Sequence, residues 1–285
     1  IADITPPEKR AQAFGMIGAA FGVGFIIGPI IGGQLGAIDL RLPFWFAAGL
    51  ALLNFLYGLF VLPESLPKER RTATFDWSHA NPVGSMVLLK RYPQVFGLAA
   101  VVLIANLAHY VYPSVFVLFA EYQYRWNEQQ VAWVLAAVGV CSVIVQAGLV
   151  GRVVPKFGER RTLLFGLACG VVGFCIYGMA DLGWMFLIGL PISALWGLAG
   201  PATQALLSQQ VGADVQGRVQ GALMVLVSLA GIVGPMMFAG TFALFIGKAA
   251  PAHLPGAPWL LAALLLAIGW LVGWRFARPP SAAAH

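Results

Sequence analysis

The sequence predicts an all-α membrane protein, a polytopic bundle of eight transmembrane helices, and three observations lead there. Sixty per cent of the 285 residues are hydrophobic and 10% are charged, with mean hydropathy +0.83; soluble domains are roughly half apolar and a quarter charged. The apolar residues fall in continuous runs near the ~20 residues that cross ~30 Å of hydrocarbon. Alternating segments of ~10 residues, which a transmembrane β-barrel requires, are missing.

The eight runs cover residues 14–35, 44–62, 95–119, 131–150, 162–180, 184–207, 219–246 and 258–276. The first is dense in glycine: Gly24, Gly28, Gly32 and Gly36 recur every fourth residue and share one helix face, a groove a neighbouring helix can approach closely, with Pro29 as a bend. The second contains Asn54 as its main polar residue. The third holds His109, the only ionisable side chain well inside a span, with Asn106 on the same face and Pro113 four residues on. Imidazole exchanges protons near neutral pH, and Pro113 cannot donate the backbone hydrogen bond that would reach back toward His109. His109 therefore reads either as part of a cavity wall or as an interhelical hydrogen-bonder. The fourth span places Gln146 in the membrane and the sixth places Gln204; an unpaired amide there is costly, so each must meet a partner helix or a wet cavity. Trp196, also in the sixth, offers a flat apolar surface that suits either packing or an aromatic ligand. Cys141, Cys169 and Cys175 all fall inside spans without a CxxC pair, and read as small buried hydrophobes with no disulfide and no metal.

Charge sets the orientation. Lys9 and Arg10, the five basic residues from Lys68 to Arg91, Arg152, Lys156, Arg160, Arg161, Arg218, Arg275 and Arg278 share one side, 14 of 17, against Arg41, Arg125 and Lys248 on the other. The basic-rich side, with both ends of the chain, is expected in the cytoplasm. The same asymmetry accounts for a pI near 9.5 without nucleic acid. All 11 acidic residues fall in loops or at helix ends, so the spans hold no carboxylate of the kind that usually relays protons in pumps.

An internal repeat organises the chain. Aligning "EKRAQAFG" with "DVQGRVQG" pairs Glu8 with Asp214, Gly15 with Gly221 and Gly28-Pro29 with Gly234-Pro235, all at an offset of 206. The first and seventh spans look like two copies of one element, six helices apart, as in transporters built of two parallel six-helix halves. The expectation is a twelve-helix protein represented here by its last eight helices: 1–62 ending the first half, 63–94 a cytoplasmic linker, and 95–285 the second half.

These residues resemble the major facilitator superfamily, and "IADITPPEKRAQAFG", "GPIIGG", "FVLPES", "GRVVPKFGERR" and "GPATQALLSQQV" resemble its tetracycline-efflux branch. The resemblance implies drug:proton antiport and runs from the end of that family's fourth helix through its twelfth. "GVGFIIGPIIGG" is similar to the antiporter motif, which brings in Gly24, Gly28, Pro29 and Gly32 with their counterparts Gly234 and Pro235. "GRVVPKFGERR" is similar to a cytoplasmic loop motif that gates between states, with Gly151, Gly158, Arg160 and Arg161 in its glycine and basic positions and Pro155 where the motif has an acid. Two departures stand out: Ser142 and Gly170 occupy positions where the tetracycline branch carries a histidine and an acid tied to proton coupling.

The expected function is therefore secondary active export of a hydrophobic drug-like compound, with His109, Asn106, Gln146, Gln204 and Trp196 as candidates for the substrate and proton pathway. Its partners would be the substrate, protons and the bilayer, in an inner membrane and as a functional monomer; no cofactor is expected beyond a proton gradient. An importer or metabolite transporter on the same fold, and a truncated non-transporting protein, are the alternatives. No Ser/His/Asp set, metal cluster or phosphate loop suggests an enzyme.

Overall fold

The computed structural model describes residues 5–62, 93–247 and 253–277. The linker from Pro63, with its basic cluster, lies outside these residues apart from its last two positions, which already belong to a helix. Among the described residues, eight helices are long and apolar enough to cross a membrane: Glu8–Gly36, Leu42–Phe60, Pro93–Tyr124, Gln129–Phe157, Glu159–Met179, Gly183–Gln209, Val215–Ile246 and Ala257–Phe276. They match the eight apolar runs. Several extend beyond them, because charged and amide side chains at an end can remain helical while reaching polar surroundings. The first and seventh spans belong to helices Pro7–Ile38 and Ala213–Ile246, which start 206 residues apart, as the repeat offset requires.

Local chemistry accounts for several ends. Asn127 and Gln130 open the fourth span with a reciprocal capping box: the Asn127 side chain accepts from the Gln130 N–H at 2.9 Å, and the Gln130 side chain from the Asn127 N–H at 3.0 Å. Gly158, at φ 79°, separates helix Val150–Phe157 from the fifth span, a conformation that favours glycine.

The interior has two centres. The larger joins the third, fifth, sixth, seventh and eighth spans around Leu98, Phe119, Phe174, Phe186, Phe238 and Trp259. The smaller, of Ala11, Val145, Val150, Val154, Leu198 and Ala205, lies where the first span meets the fourth and sixth. The second span packs against the first and buries no residue, exposing Phe44, Trp45, Phe55 and Phe60. An apolar exterior of this kind costs little when the solvent is lipid.

Candidate functional site at the meeting of three irregular helices

Three spans depart from α-geometry. The third breaks at Tyr110 into helices Pro93–His109 and Val111–Tyr124. Pro113 has no N–H to give the His109 carbonyl, and at the break the Tyr110 N–H is shared between the Asn106 carbonyl at 3.3 Å and the Leu107 carbonyl at 3.1 Å. The fourth contains a π-helical stretch, Ile144–Leu149, and the sixth a 3-10 stretch, Leu195–Leu198, flanked by Pro191 and Pro201. Irregular backbone at membrane depth persists only where protein buries it or where it lines a cavity.

The irregular stretches meet. The His109 ring centre lies 5.8 Å from that of Trp196, in the 3-10 stretch, and 6.1 Å from that of Tyr112. The π and 3-10 stretches touch, with Gln146 Cγ 3.5 Å from where a side chain at Gly197 would begin. His109 is exposed, with the rings of Trp196 and Tyr112 beside it. Behind it, Tyr112, Phe174, Tyr177, Phe186 and Trp259 form a wall of rings, mostly edge-to-face, with Tyr112 and Trp259 centres 5.1 Å apart. The wall contains a small polar group: Ser193 Oγ donates to the Leu190 carbonyl at 3.0 Å and accepts from the Tyr177 hydroxyl.

The other candidates separate by partner. Asn106 turns back on its own helix, donating to the Val102 carbonyl at 2.8 Å. Gln146 donates to Ser142 Oγ at 2.8 Å, with its carboxamide against Gly18 of the first span. Gln204 accepts from Gln220 Nε2 at 3.2 Å, tying the sixth span to the seventh. Trp196 stands edge-on to Phe174 at 5.4 Å. Thus His109 and Trp196 are brought together, while Gln146 and Gln204 occupy separate helix junctions. Of the two positions where the resemblance fails, Ser142 is the partner of Gln146. At Gly170 a side chain would start 2.7 Å from Leu266 and 3.0 Å from Trp196, so an acid has no room there.

The antiporter-motif glycines Gly24, Gly28 and Gly32 have nothing within 4 Å of where a side chain would begin, and Gly36, the last of the expected groove, meets only Pro43 at 3.8 Å. Instead, Gly15, Gly18 and Gly22 carry the contact with the fourth span. Pro29 continues the helix, and Pro235 lies inside the seventh. Gly234 is tightly occupied: a side chain there would begin 2.6 Å from Tyr110 Cβ.

At the end of the fourth span, Gly151 lies against Gln12, and Arg160 Nη2 donates to the Trp274 carbonyl at 2.9 Å, joining the start of the fifth span to the last turn of the eighth, where a cation is favoured. Arg161 is exposed. A cavity of about 250 Å³ is lined by Val150, Gly151, Val154 and Pro155 on one side and by the first-span turn bearing Glu8, Lys9, Ala11 and Gln12 on the other. Glu8 thus borders the position where the loop motif has proline in place of its acid. Arg10 Nη1 crosses from the first span to Ser208, donating to its carbonyl at 3.2 Å and its hydroxyl at 3.3 Å.

Sequence reasoning missed the ring wall, because each of its aromatics alone looks like packing. Gly18 and Gln220 could have been sought as small or amide partners for the two intramembrane glutamines. The π stretch has no sequence signal.

An eight-span bundle whose irregular helices converge on an ionisable group is built as a polytopic membrane protein with an internal polar site. The chain belongs to the major facilitator superfamily: the model of that family matches residues 1–235. It is similar to the class C tetracycline resistance protein of Escherichia coli, 37% identical over 265 residues, covering 93% of this chain and 65% of that one. The class D tetracycline resistance protein of Salmonella ordonez is 33% identical, covering 95% and 68%. Among solved structures, the human organic anion transporter MFSD10 (TETRAN) superposes with a TM-score of 0.79 at 22% identity, over 96% of this chain and 66% of that one, a likeness of fold. The chain spans about two thirds of the length of these relatives.

Proposed function

We propose that this chain is part of a proton-driven exporter of a hydrophobic, drug-like compound, working by alternating access, its spans standing as helices five to twelve of a twelve-helix fold. Membership of the superfamily supports membrane transport, and similarity to tetracycline resistance proteins supports export of a tetracycline-like or multidrug substrate. One observation carries the site: the His109 imidazole stands beside Trp196 where two broken helices meet. Ring surface would bind a flat, poorly charged molecule, and His109 would take up and release the coupling proton in place of the acid and histidine found elsewhere in the branch. Rocking of the two halves would expose this site to either side in turn. The proton gradient is the energy source and the protein acts as a monomer in the inner membrane, with Arg160, Arg161 and the Glu8–Gln12 turn at the cytoplasmic gate.

The test is drug-susceptibility profiling of cells expressing the full-length gene, followed by uptake into inverted vesicles with and without a protonophore. A protonophore-sensitive accumulation of one drug class is expected. His109→Gln should abolish that accumulation or flatten its pH profile; unchanged transport and profile in this variant would remove His109 from the coupling path. A substrate-induced proton flux of the opposite sign would instead indicate an importer.

A further inference from the structure

Among the glycines of the first span, the one approached most closely meets a single carboxamide. A side chain at Gly18 would overlap Gln146 Oε1 and Cδ, so Gln146 occupies the volume that any residue other than glycine would need. The contact is keyed from both sides. Ser142 holds the Gln146 amide at 2.8 Å, and the Gln146 backbone carbonyl lies 2.9 Å from where a side chain at Gly15 would begin. Above and below, Gly22 meets Val143 and the Gly139 carbonyl, and Gly15 meets Val150. Gln146 also stands in the π stretch and touches the 3-10 stretch at Gly197. Two of the three helices meeting at this point are therefore irregular, and mid-helix π and 3-10 segments are places where helices bend.

We propose that Gln146 is a removable key: seated in the Gly18 notch it holds the first span against the fourth and sixth, and its withdrawal frees the first span to move against them, with the π and 3-10 stretches as hinges. This deepens the alternating-access reading and rests on it for the purpose of the motion. Gln146 acts here as a positioning residue. A carboxamide suits the task because its bond to Ser142 can be exchanged for one to water as the seam opens, whereas an apolar side chain of the same length would have no alternative partner.

Two readouts test the key in the full-length protein in membranes: substrate transport, and the rate at which a membrane-permeant maleimide alkylates the thiol of Val143→Cys, a position whose side chain meets Gly22 in the seam, in a background where Cys141, Cys169 and Cys175 are replaced by alanine. Gly18→Ala should reduce transport by about tenfold or more, the rate equivalent of a modest overpacking cost, and should speed alkylation as the seam is forced apart. Gln146→Ala alone should also speed alkylation. The double variant should return both readouts toward wild type, since the methyl at 18 refills the vacated notch; such non-additivity marks direct contact. Gln146→Asn separates a key from mere packing: one methylene shorter, it leaves the notch but keeps its amide, and should slow transport with Tm unchanged. Wild-type behaviour of Gly18→Ala, a double variant no better than Gly18→Ala, or a Tm falling in step with transport in Gln146→Asn would each overturn the proposal. Alkylation is read whether or not a transported drug is found, so failure of the exporter reading leaves that arm standing.

Discussion

The first and seventh spans align without a gap at an offset of 206, and each buries the face the other leaves open. In the first, Gly15, Gly18 and Gly22 are pressed against the fourth span, while Gly24, Gly28 and Gly32 face open space. At the offset of 206 the counterparts reverse: Gly221 has nothing within 4 Å, Met224 and Ser228 are exposed, and Ala230, Gly234, Phe238 and Phe242 are packed. The substitutions follow. Where the face is covered by the ring of Tyr110, the seventh span keeps Gly234 and fills the positions of Gly32 and Gly36 with phenylalanine; where the first span meets the bulk of Gln146, it has Gly18 in place of a methionine. A glycine in a membrane helix thus registers what approaches it, because close contact, rather than the hydrophobic effect, holds helices together in lipid.

The sharpest way to break this comparison is to remove what occupies the seventh span's notch. Tyr110 lies over Gly231 and Gly234, its hydroxyl 2.8 Å and its Cβ 2.6 Å from where their side chains would begin. Tyr110→Ala should destabilise the protein by about 2–3 kcal/mol, slightly below the range for deleting a fully buried ring because this one is half-buried. The measurement is thermal unfolding in detergent, and a Tm equal to wild type would show that the ring does not brace the third span's break against the seventh.

Much of this arrangement could be read beforehand and part could not, for identifiable reasons. The spans were legible because twenty apolar residues have few alternatives in this composition. The break at Tyr110 was legible because Pro113 must leave a carbonyl unpaired. The role of Gly24, Gly28, Gly32 and Gly36 as a groove followed from their spacing, yet Gly15, Gly18 and Gly22 form a second small-residue stripe a little further round the same helix. Spacing alone does not say which stripe meets a neighbour among the described residues. The partner of Gln146 was hidden for another reason: a π stretch rotates the following residues by an amount that 3.6-residue periodicity cannot anticipate. His109 and Trp196 were both singled out, but their proximity depends on two separate helix distortions.

A second, smaller effect comes from filling the notch. Gly234→Ala puts a methyl group 2.6 Å from Tyr110 Cβ, an atom close to the backbone that cannot swing aside as a chain end would. The expected cost is about 1–2 kcal/mol by overpacking, again read as a drop in Tm. Restoration in Gly234→Ala combined with Tyr110→Ala, relative to the sum of the two, would place the two residues in one contact.

The smallest effect is also the most informative about the symmetry. Gly28 and Gly221 lie on the open faces of their respective spans, with room for a methyl. Where nothing approaches, alanine favours a helix over glycine by about 0.5–1 kcal/mol through the unfolded chain's lost freedom. Gly28→Ala and Gly221→Ala should therefore each leave Tm equal or slightly raised, opposite in sign to Gly234→Ala, although Gly28 and Gly234 are the same position of the repeat. A fall in Tm for Gly28→Ala in the full-length protein, comparable to that of Gly234→Ala, would mean that another part of the polypeptide covers this face as Tyr110 covers its twin. The two copies would then differ in which helix meets them and not in whether one does.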